Sequence, residues 1–153
     1  MNMRNIFALI IVLSFVSAAA AQTKMSTEQL AAYNKPDREK ILYAGAKAEG
    51  KVTWYTSLAG DSYKKLAAAY EAKYPGVSVE SYRATRQEMS ARILAESQAQ
   101  RYIADTMETT IPLLKLLKDN KWLVPYYFST IAKYPDNVKE KAPGGLVYWA
   151  IDS

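Results

Sequence analysis

Apolar and polar residues alternate in two segments of the chain, residues 51–56 and 77–82, and recur at helical spacing around them. In the first segment Val52, Trp54 and Thr56 alternate with Thr53 and Tyr55, and most of these side chains are β-branched or aromatic, as is typical of strands. Shorter apolar runs predict two more strands, at 103–107 and 146–151. Helical spacing predicts helices that begin near Ser26, Asp37, Ser62, Thr85 and Thr109 or Thr110.

Residues that begin or end helices stand at the boundaries of these segments. Ser26 is followed three residues later by Gln29, which is the pattern of a capping box, and Thr85 is placed to cap the fourth helix. Gly50 and the Pro75–Gly76 pair are typical helix ends. The segment 122–128 is predicted to be extended, and 135–141 to be a polar loop or short helix.

The order of the predicted elements indicates the fold class. Strands and helices alternate from residue 51 to residue 151, which predicts an α/β protein with a mainly parallel sheet. Right-handed connections between parallel strands would place helices on both faces of that sheet. The chain contains neither GxGxxG nor GxxxxGK[ST], so neither of these phosphate-binding loops is predicted.

The first 21 residues have the pattern of a secretory signal peptide. Arg4 precedes an apolar run from Ile6 to Val16, and small residues follow, with Ala19 and Ala21 at the positions that signal peptidase requires to be small. The run is shorter than the ~20 residues that span a bilayer. We therefore expect cleavage near Gln22, a periplasmic location and no stable membrane insertion after cleavage.

Composition excludes several kinds of chemistry. The 153 residues include no cysteine and no histidine, which rules out disulfides and a lipid-modified N-terminal cysteine and disfavours zinc, copper and Ser-His-Asp sites. We expect no cofactor and no bound metal. The net charge is +5, but basic and acidic residues are interspersed, whereas a nucleic-acid binder would cluster its basic residues on one face. Nucleic acid is therefore not an expected partner.

Several weak motifs in a fixed order resemble a known family. The segments EGKVTWYTSL, YEAKYPGVSVESYRA and IADTMETTIPLL are similar to those of periplasmic solute-binding proteins of ABC importers, in the extracellular family 1 group that includes the ferric-iron binders. The resemblance implies a two-lobed fold that traps a small solute and delivers it to an inner-membrane permease. It divides the chain into a signal peptide (1–21), a helical segment (22–50) and a first α/β lobe (51–153), with the second lobe absent.

The resemblance also implies where the solute binds, because ligands of such sheets lie at the carboxyl ends of the strands. Thr56 and Ser57 follow the first strand, where hydroxyls and backbone N–H groups can hold an anion. Arg83 and Arg86 follow the second strand, and a guanidinium can bind a carboxylate or phosphate with two hydrogen bonds. The expected ligand-binding residues are Thr56, Ser57, Leu58, Arg83, Thr85, Arg86 and Thr109.

Three alternatives to this function stay open. An iron binder is disfavoured because Fe(III) needs several anionic oxygen ligands and this segment offers at most Glu108, so a small anionic or organic solute is preferred. A hydrolase with paired carboxylates is disfavoured because no acidic pair stands in a recognisable motif. We therefore do not expect this protein to be an enzyme. A single-lobe fragment or adaptor would expose apolar surface that includes Tyr148 and Trp149.

Overall fold

Five α-helices and five strands are present in residues 25–151, the part of the chain that this computed structural model describes. The helices are α1 (Thr27–Ala32), α2 (Arg38–Glu49), α3 (Ser62–Lys73), α4 (Arg86–Gln98) and α5 (Ile111–Asp119). The strands are β1 (Lys51–Thr56), β2 (Ser78–Arg83), β3 (Thr106–Met107), β4 (Lys139–Ala142) and β5 (Leu146–Ala150). The predicted signal peptide lies outside the described residues.

The three strands β2, β1 and β3 form a parallel sheet in that order, which confirms the predicted α/β class. The β1–β2 register runs from Lys51 opposite Ser78 to Thr56 opposite Arg83. The connection through α3 moves from β1 to β2, and the connection through α4 moves back past β1 to β3. Right-handed connections therefore place α3 and α4 on opposite faces of the sheet.

The core lies on the face of β1 that carries Tyr55, which is fully buried. Met89 and Ile93 of α4 and Leu113 and Leu117 of α5 pack with Tyr55 in one cluster. The apolar spacing predicts both helices, and in the structure most of these apolar side chains face inward, although Leu116 of α5 is 43% exposed. Burial of such side chains from water is the main source of folding free energy in this part of the molecule.

Local signals at the helix ends are also confirmed. Ser26 and Thr85 each form a complete capping box, with Gln29 and Glu88 as the respective partners three residues on. Gly50 ends α2 with φ +80°, a left-handed conformation that glycine adopts without steric penalty. These contacts span only a few residues, so the sequence pattern is sufficient to predict them.

The third strand is shorter than predicted, because β3 covers only Thr106–Met107 rather than 103–107. Asp105 stands where the ladder would extend, and its side chain accepts a hydrogen bond from the Thr53 N–H at 2.7 Å. The Asp105 carboxylate therefore accepts the hydrogen bond that a backbone carbonyl of a longer third strand would accept from the Thr53 N–H. The Asp105 N–H still donates to the Thr53 carbonyl at 3.0 Å, which keeps the two chains adjacent.

The prediction that the last strand continues the parallel series is wrong. β5 pairs antiparallel with β4 in a separate two-stranded sheet, and β4 occupies part of a segment predicted to be a loop or short helix. Gly144 and Gly145, both at φ +75°, make the tight turn between these strands. A short turn returns the chain antiparallel, whereas a parallel strand needs a crossover of a dozen or more residues.

The helices α2 and α3 lie against β1 and β2 but bury no residue. Tyr43 of α2 donates to the Pro75 carbonyl at 2.6 Å, and its ring lies 5.4 Å from that of Tyr74.

Within residues 25–151, no helix has both the length and the apolar content that crossing a membrane requires.

Candidate functional site

The carboxyl end of β1 presents a row of hydrogen-bond donors. Thr56 is fully buried, and Ser57 and Leu58 follow it into the loop that leads to α3. The Thr56 hydroxyl accepts from the Leu58 N–H at 3.1 Å, which turns the chain sharply after the strand. This turn aims the Thr56 hydroxyl and both the N–H and hydroxyl of Ser57 at the same point, and each donates a hydrogen bond there.

The group at that point is the carboxylate of Glu108. Its Oε2 accepts from the Thr56 hydroxyl at 3.1 Å, the Ser57 N–H at 2.9 Å and the Ser57 hydroxyl at 3.1 Å. Its Oε1 accepts from the Ser57 hydroxyl at 3.1 Å. Glu108 directly follows β3, and its own N–H donates to the Tyr55 carbonyl at 2.9 Å. The ends of β1 and β3 are thereby joined through one half-buried carboxylate.

Thr109, the next residue, carries a buried hydroxyl without a partner. Its Oγ1 is closed to solvent and makes no hydrogen bond with any residue of the described range. A buried hydroxyl without a partner costs free energy, so such a group stands out in a folded protein. The expected site residues Thr56, Ser57, Leu58 and Thr109 therefore lie together, around a residue that was not among them.

The expected residues after β2 have different roles. The Arg83 Nε donates to the Leu58 carbonyl at 2.9 Å, so this exposed side chain holds the β1 loop in place. Thr85 is engaged as the cap of α4, where its hydroxyl donates to Glu88 at 2.9 Å. Hydrogen bonds from the Thr85 N–H and hydroxyl lower the pKa of Glu88. Arg86 is exposed at the first position of α4, and the structure does not bring it to Glu108.

A cavity of about 1180 Å³ opens beside this site. Leu58, Glu108 and Thr109 lie in its wall at the end of the sheet. Aromatic side chains form other parts of the wall, among them Trp122, Tyr126, Tyr148 and Trp149. Ligand sites in proteins combine apolar walls with a few placed polar groups. The wall of this open cavity contains both kinds of group.

A second polar cluster lies inside the core and supports the sheet. The Tyr55 hydroxyl donates to both carboxylate oxygens of Glu96, at 2.8 and 3.1 Å, and the Arg92 Nε lies 2.6 Å from Glu96. The Arg92 guanidinium stacks over the Tyr82 ring at 4.1 Å. Burial, followed by the bond to Glu96, raises the pKa of Tyr55. The Tyr55 hydroxyl, the Glu96 carboxylate and the Arg92 Nε bind one another, so we interpret the cluster as structural.

Glu108 is a residue that the list of expected ligand-binding residues left out. The sequence does place it at the carboxyl end of a predicted strand, but its side chain was considered only as an iron ligand or as one of several scattered acids. Glu108 directly follows one predicted strand just as Ser57 follows another. The carboxyl ends of adjacent parallel strands meet at one edge of a sheet, so both residues belong to that edge.

The acidic residues of the described range do not gather into a metal centre. No group of three or more acidic side chains there is placed to hold a metal ion. No protein-family model matches this chain, and a search of curated proteins also finds no match. The geometry of the site is therefore the basis for the function proposed next.

Proposed function

We propose that this chain is the periplasmic solute-binding component of an ABC importer, which captures a small solute and delivers it to an inner-membrane permease. The observation that carries the proposal is the convergence of Thr56, Ser57 and Glu108 at the carboxyl ends of β1 and β3. No covalent step is assigned to the site, because binding and release suffice for transport.

The strand order supports this location for the solute. In the order β2-β1-β3 the connection through α3 runs from β1 to one side, and the connection through α4 runs from β2 to the other side, so the direction of winding reverses between β1 and β3. The loops after β1 and β3 then diverge and leave a crevice, which is where open α/β sheets bind ligands. The cavity beside Leu58, Glu108 and Thr109 lies in this crevice. The finer proposal is that this α/β unit is one lobe of a solute-binding fold.

Solute capture would then follow the mechanism of two-lobed binding proteins. In such a protein a solute that contacts both lobes binds the closed form more tightly than the open form, and so shifts the population toward closure. The α/β unit described here would supply one of the two contact surfaces. The permease would recognise the closed form. In this scheme Arg83 is a positioning residue, because it acts on the site through the Leu58 carbonyl.

Solute binding is tested by thermal unfolding of the full chain against a broad panel of small solutes. A solute present at 100 times its Kd should stabilise the protein by about 2.7 kcal/mol. Ser57→Ala should weaken that stabilisation, because the variant loses a hydroxyl that faces the site. Ser78→Ala is the matched control, since Ser78 bonds the Gly50 carbonyl at the opposite end of the sheet. Failure of every solute to raise the Tm would refute the proposal.

The periplasmic location has its own test. Mass spectrometry of the protein from a periplasmic extract should find Gln22 as the first residue. Retention of residues 1–21 in a membrane fraction would contradict export with cleavage.

A second candidate function, an interaction module that does not transport, is favoured by one observation. The apolar surface expected at Tyr148 and Trp149 is not exposed, since Trp149 is buried and Tyr148 is half-buried. Leu66 and Tyr70 of α3 are 55% and 39% exposed instead, which leaves apolar surface uncovered on that side of the sheet. Concentration-dependent self-association of the full chain, abolished by Leu66→Ser and without any solute response, would support this candidate instead.

A further inference from the structure

Glu108 lacks the partner that a half-buried carboxylate ordinarily has. Hydroxyls and one N–H group bind it, but no Lys or Arg of residues 25–151 lies within 4.0 Å to form an ion pair. Elsewhere in the same range the less exposed carboxylates are paired, as Glu96 is with Arg92 and Glu140 is with Lys118. The negative charge of Glu108 is therefore open to a cation from outside the chain.

We propose that the captured solute carries an ammonium group or a similar organic cation, and that this group binds the Glu108 carboxylate. The inference rests on the proposed function and specifies its solute. It replaces the anionic solute expected from the sequence, because Thr56 and Ser57 already bind Glu108 and Arg83 already binds the Leu58 carbonyl.

The two carboxylate oxygens differ in how far they are occupied. Three hydrogen bonds reach Oε2, whereas only the Ser57 hydroxyl reaches Oε1, and that hydroxyl has a single hydrogen to share between the two. A carboxylate offers about four acceptor positions. Oε1 therefore has room for an N–H donor, and the bonds to Oε2 hold the group in a defined orientation for it.

Other solute charges fit less well. An anion would have to displace Glu108 from Thr56 and Ser57 or lie beside a like charge, and both cost free energy. A bare metal ion would need further anionic ligands, and the described residues provide no group of three acidic side chains to supply them. An organic cation needs only one carboxylate and an apolar surround.

The cavity wall supplies that surround. The faces of aromatic rings attract cations, and Trp122, Tyr126, Tyr148 and Trp149 all line the cavity. Tyr148 and Trp149 already have the Lys118 ammonium group 5.7 Å from their ring centres, whereas no Lys or Arg of residues 25–151 lies over the ring of Trp122 or Tyr126. Of the charged residues of the wall, Glu96 is already paired with Arg92, and Asp105 and Glu108 stand against Arg101 and Lys121, so the charge of the wall as a whole does not exclude a cation.

The test compares two probes of equal size and opposite charge, butylammonium and butyrate, by calorimetric titration of the full chain at constant ionic strength. Butylammonium should bind saturably and more tightly than butyrate. Glu108→Gln keeps the size of the side chain and removes its charge, and should weaken butylammonium binding at least about tenfold. Glu80→Gln is the matched control, because Glu80 is exposed on β2 and pairs with Lys51.

The outcomes separate this inference from the function on which it rests. Tighter binding of butyrate, or equal butylammonium binding by wild type and Glu108→Gln, overturns the cationic solute but leaves solute binding intact. Absence of butylammonium binding also overturns it, while the wider solute panel decides the importer function separately. Should Glu108→Gln fail to fold, Glu108→Asp keeps the charge but withdraws it from Ser57, and a severalfold loss of butylammonium affinity is expected.

Discussion

Two pairs of helices flank the parallel sheet, and they differ in how much they bury. Met89 and Ile93 of α4 and Leu113 and Leu117 of α5 are at most 6% exposed and pack against Tyr55. The helices α2 and α3 bury no residue, and Leu66 of α3 is 55% exposed. Apolar residues recur at helical spacing in both pairs, so that spacing predicts a helix without predicting how deeply it is buried.

The helices α2 and α3 are held in place by polar contacts rather than by buried apolar side chains. The Glu39 carboxylate accepts from the Tyr74 hydroxyl at 2.9 Å and lies 3.0 Å from the Lys73 ammonium. Both charged side chains of that ion pair are largely exposed, and solvent screens such pairs strongly. The free energy of folding should therefore come mainly from the face of the sheet that α4 and α5 cover.

The largest expected difference in stability is between alanine variants of one leucine on α5 and one leucine on α3. Leu117→Ala removes a side chain that is 1% exposed and leaves a cavity, so unfolding should become easier by about 2–5 kcal/mol. Leu66→Ala, its control on α3, should change the free energy of unfolding by less than about 0.5 kcal/mol. Urea unfolding measures both. Equal effects would show that α3 is buried in solution, against a partner or a second copy.

A smaller effect is expected from the polar cluster beneath α4. Glu96→Gln weakens the bonds to Tyr55 and Arg92, and should cost about 1–3 kcal/mol of stability in urea unfolding. Tyr55→Phe removes one hydroxyl and leaves the Arg92–Glu96 pair in place, so it should cost less. A larger loss for Tyr55→Phe than for Glu96→Gln would contradict the assigned network.

The same cluster makes stability depend on pH in the alkaline range. The pKa of Tyr55 is raised in the folded state, first by burial and then by the bond to Glu96, so the protonated phenol is favoured there. Its contribution is complete below the unfolded pKa of about 10 and is lost as the pH rises through the folded value. Between pH 10 and 12, the free energy of unfolding, measured in urea at each pH, should fall more for wild type than for Tyr55→Phe. An equal fall in the two proteins would refute this prediction.

The smallest changes in stability are expected from removal of the two N-cap residues, and the two losses should differ. Thr85→Ala removes the cap of α4, a helix with buried residues, and should cost about 1 kcal/mol. Ser26→Ala removes the cap of α1, which buries no residue and can fray without opening the core, so a loss below about 0.5 kcal/mol is expected. Thr85→Ser and Ser26→Thr, which keep a capping hydroxyl, are the controls, and urea unfolding again measures the change.

The boundaries of α2, α3 and α4 and of β1 and β2 follow closely from the sequence. Periodicity and capping residues act within three or four positions, so an isolated segment already contains the information. The loop after β1 could also be predicted as part of the site, because Thr56 and Ser57 end a clear strand. The pairing of β5 with β4 could not be predicted, since a short apolar run does not indicate which strand lies beside it.

Glu108 shows why the candidate site was only partly predictable. Its carboxylate meets Ser57, 51 residues away along the chain, and that meeting exists only because β3 lies beside β1. Arg83 was expected to bind the solute directly, yet its Nε donates to the Leu58 carbonyl, a contact made possible by the pairing of Thr56 with Arg83 in the sheet.

Local chemistry along the chain was enough to establish the α/β class, most helix and strand boundaries, the capping box at Ser26, the cap at Thr85 and the polar end of β1. The order of the strands, the face that forms the core, the return of β5 onto β4 and the charge at the candidate site all arose from contacts between distant segments. Such contacts depend on which surfaces exclude water together and which polar groups then find partners. For that reason the sequence could place Thr56, Ser57 and Glu108 at the ends of strands, whereas the hydrogen bonds that join them are seen only in the folded chain.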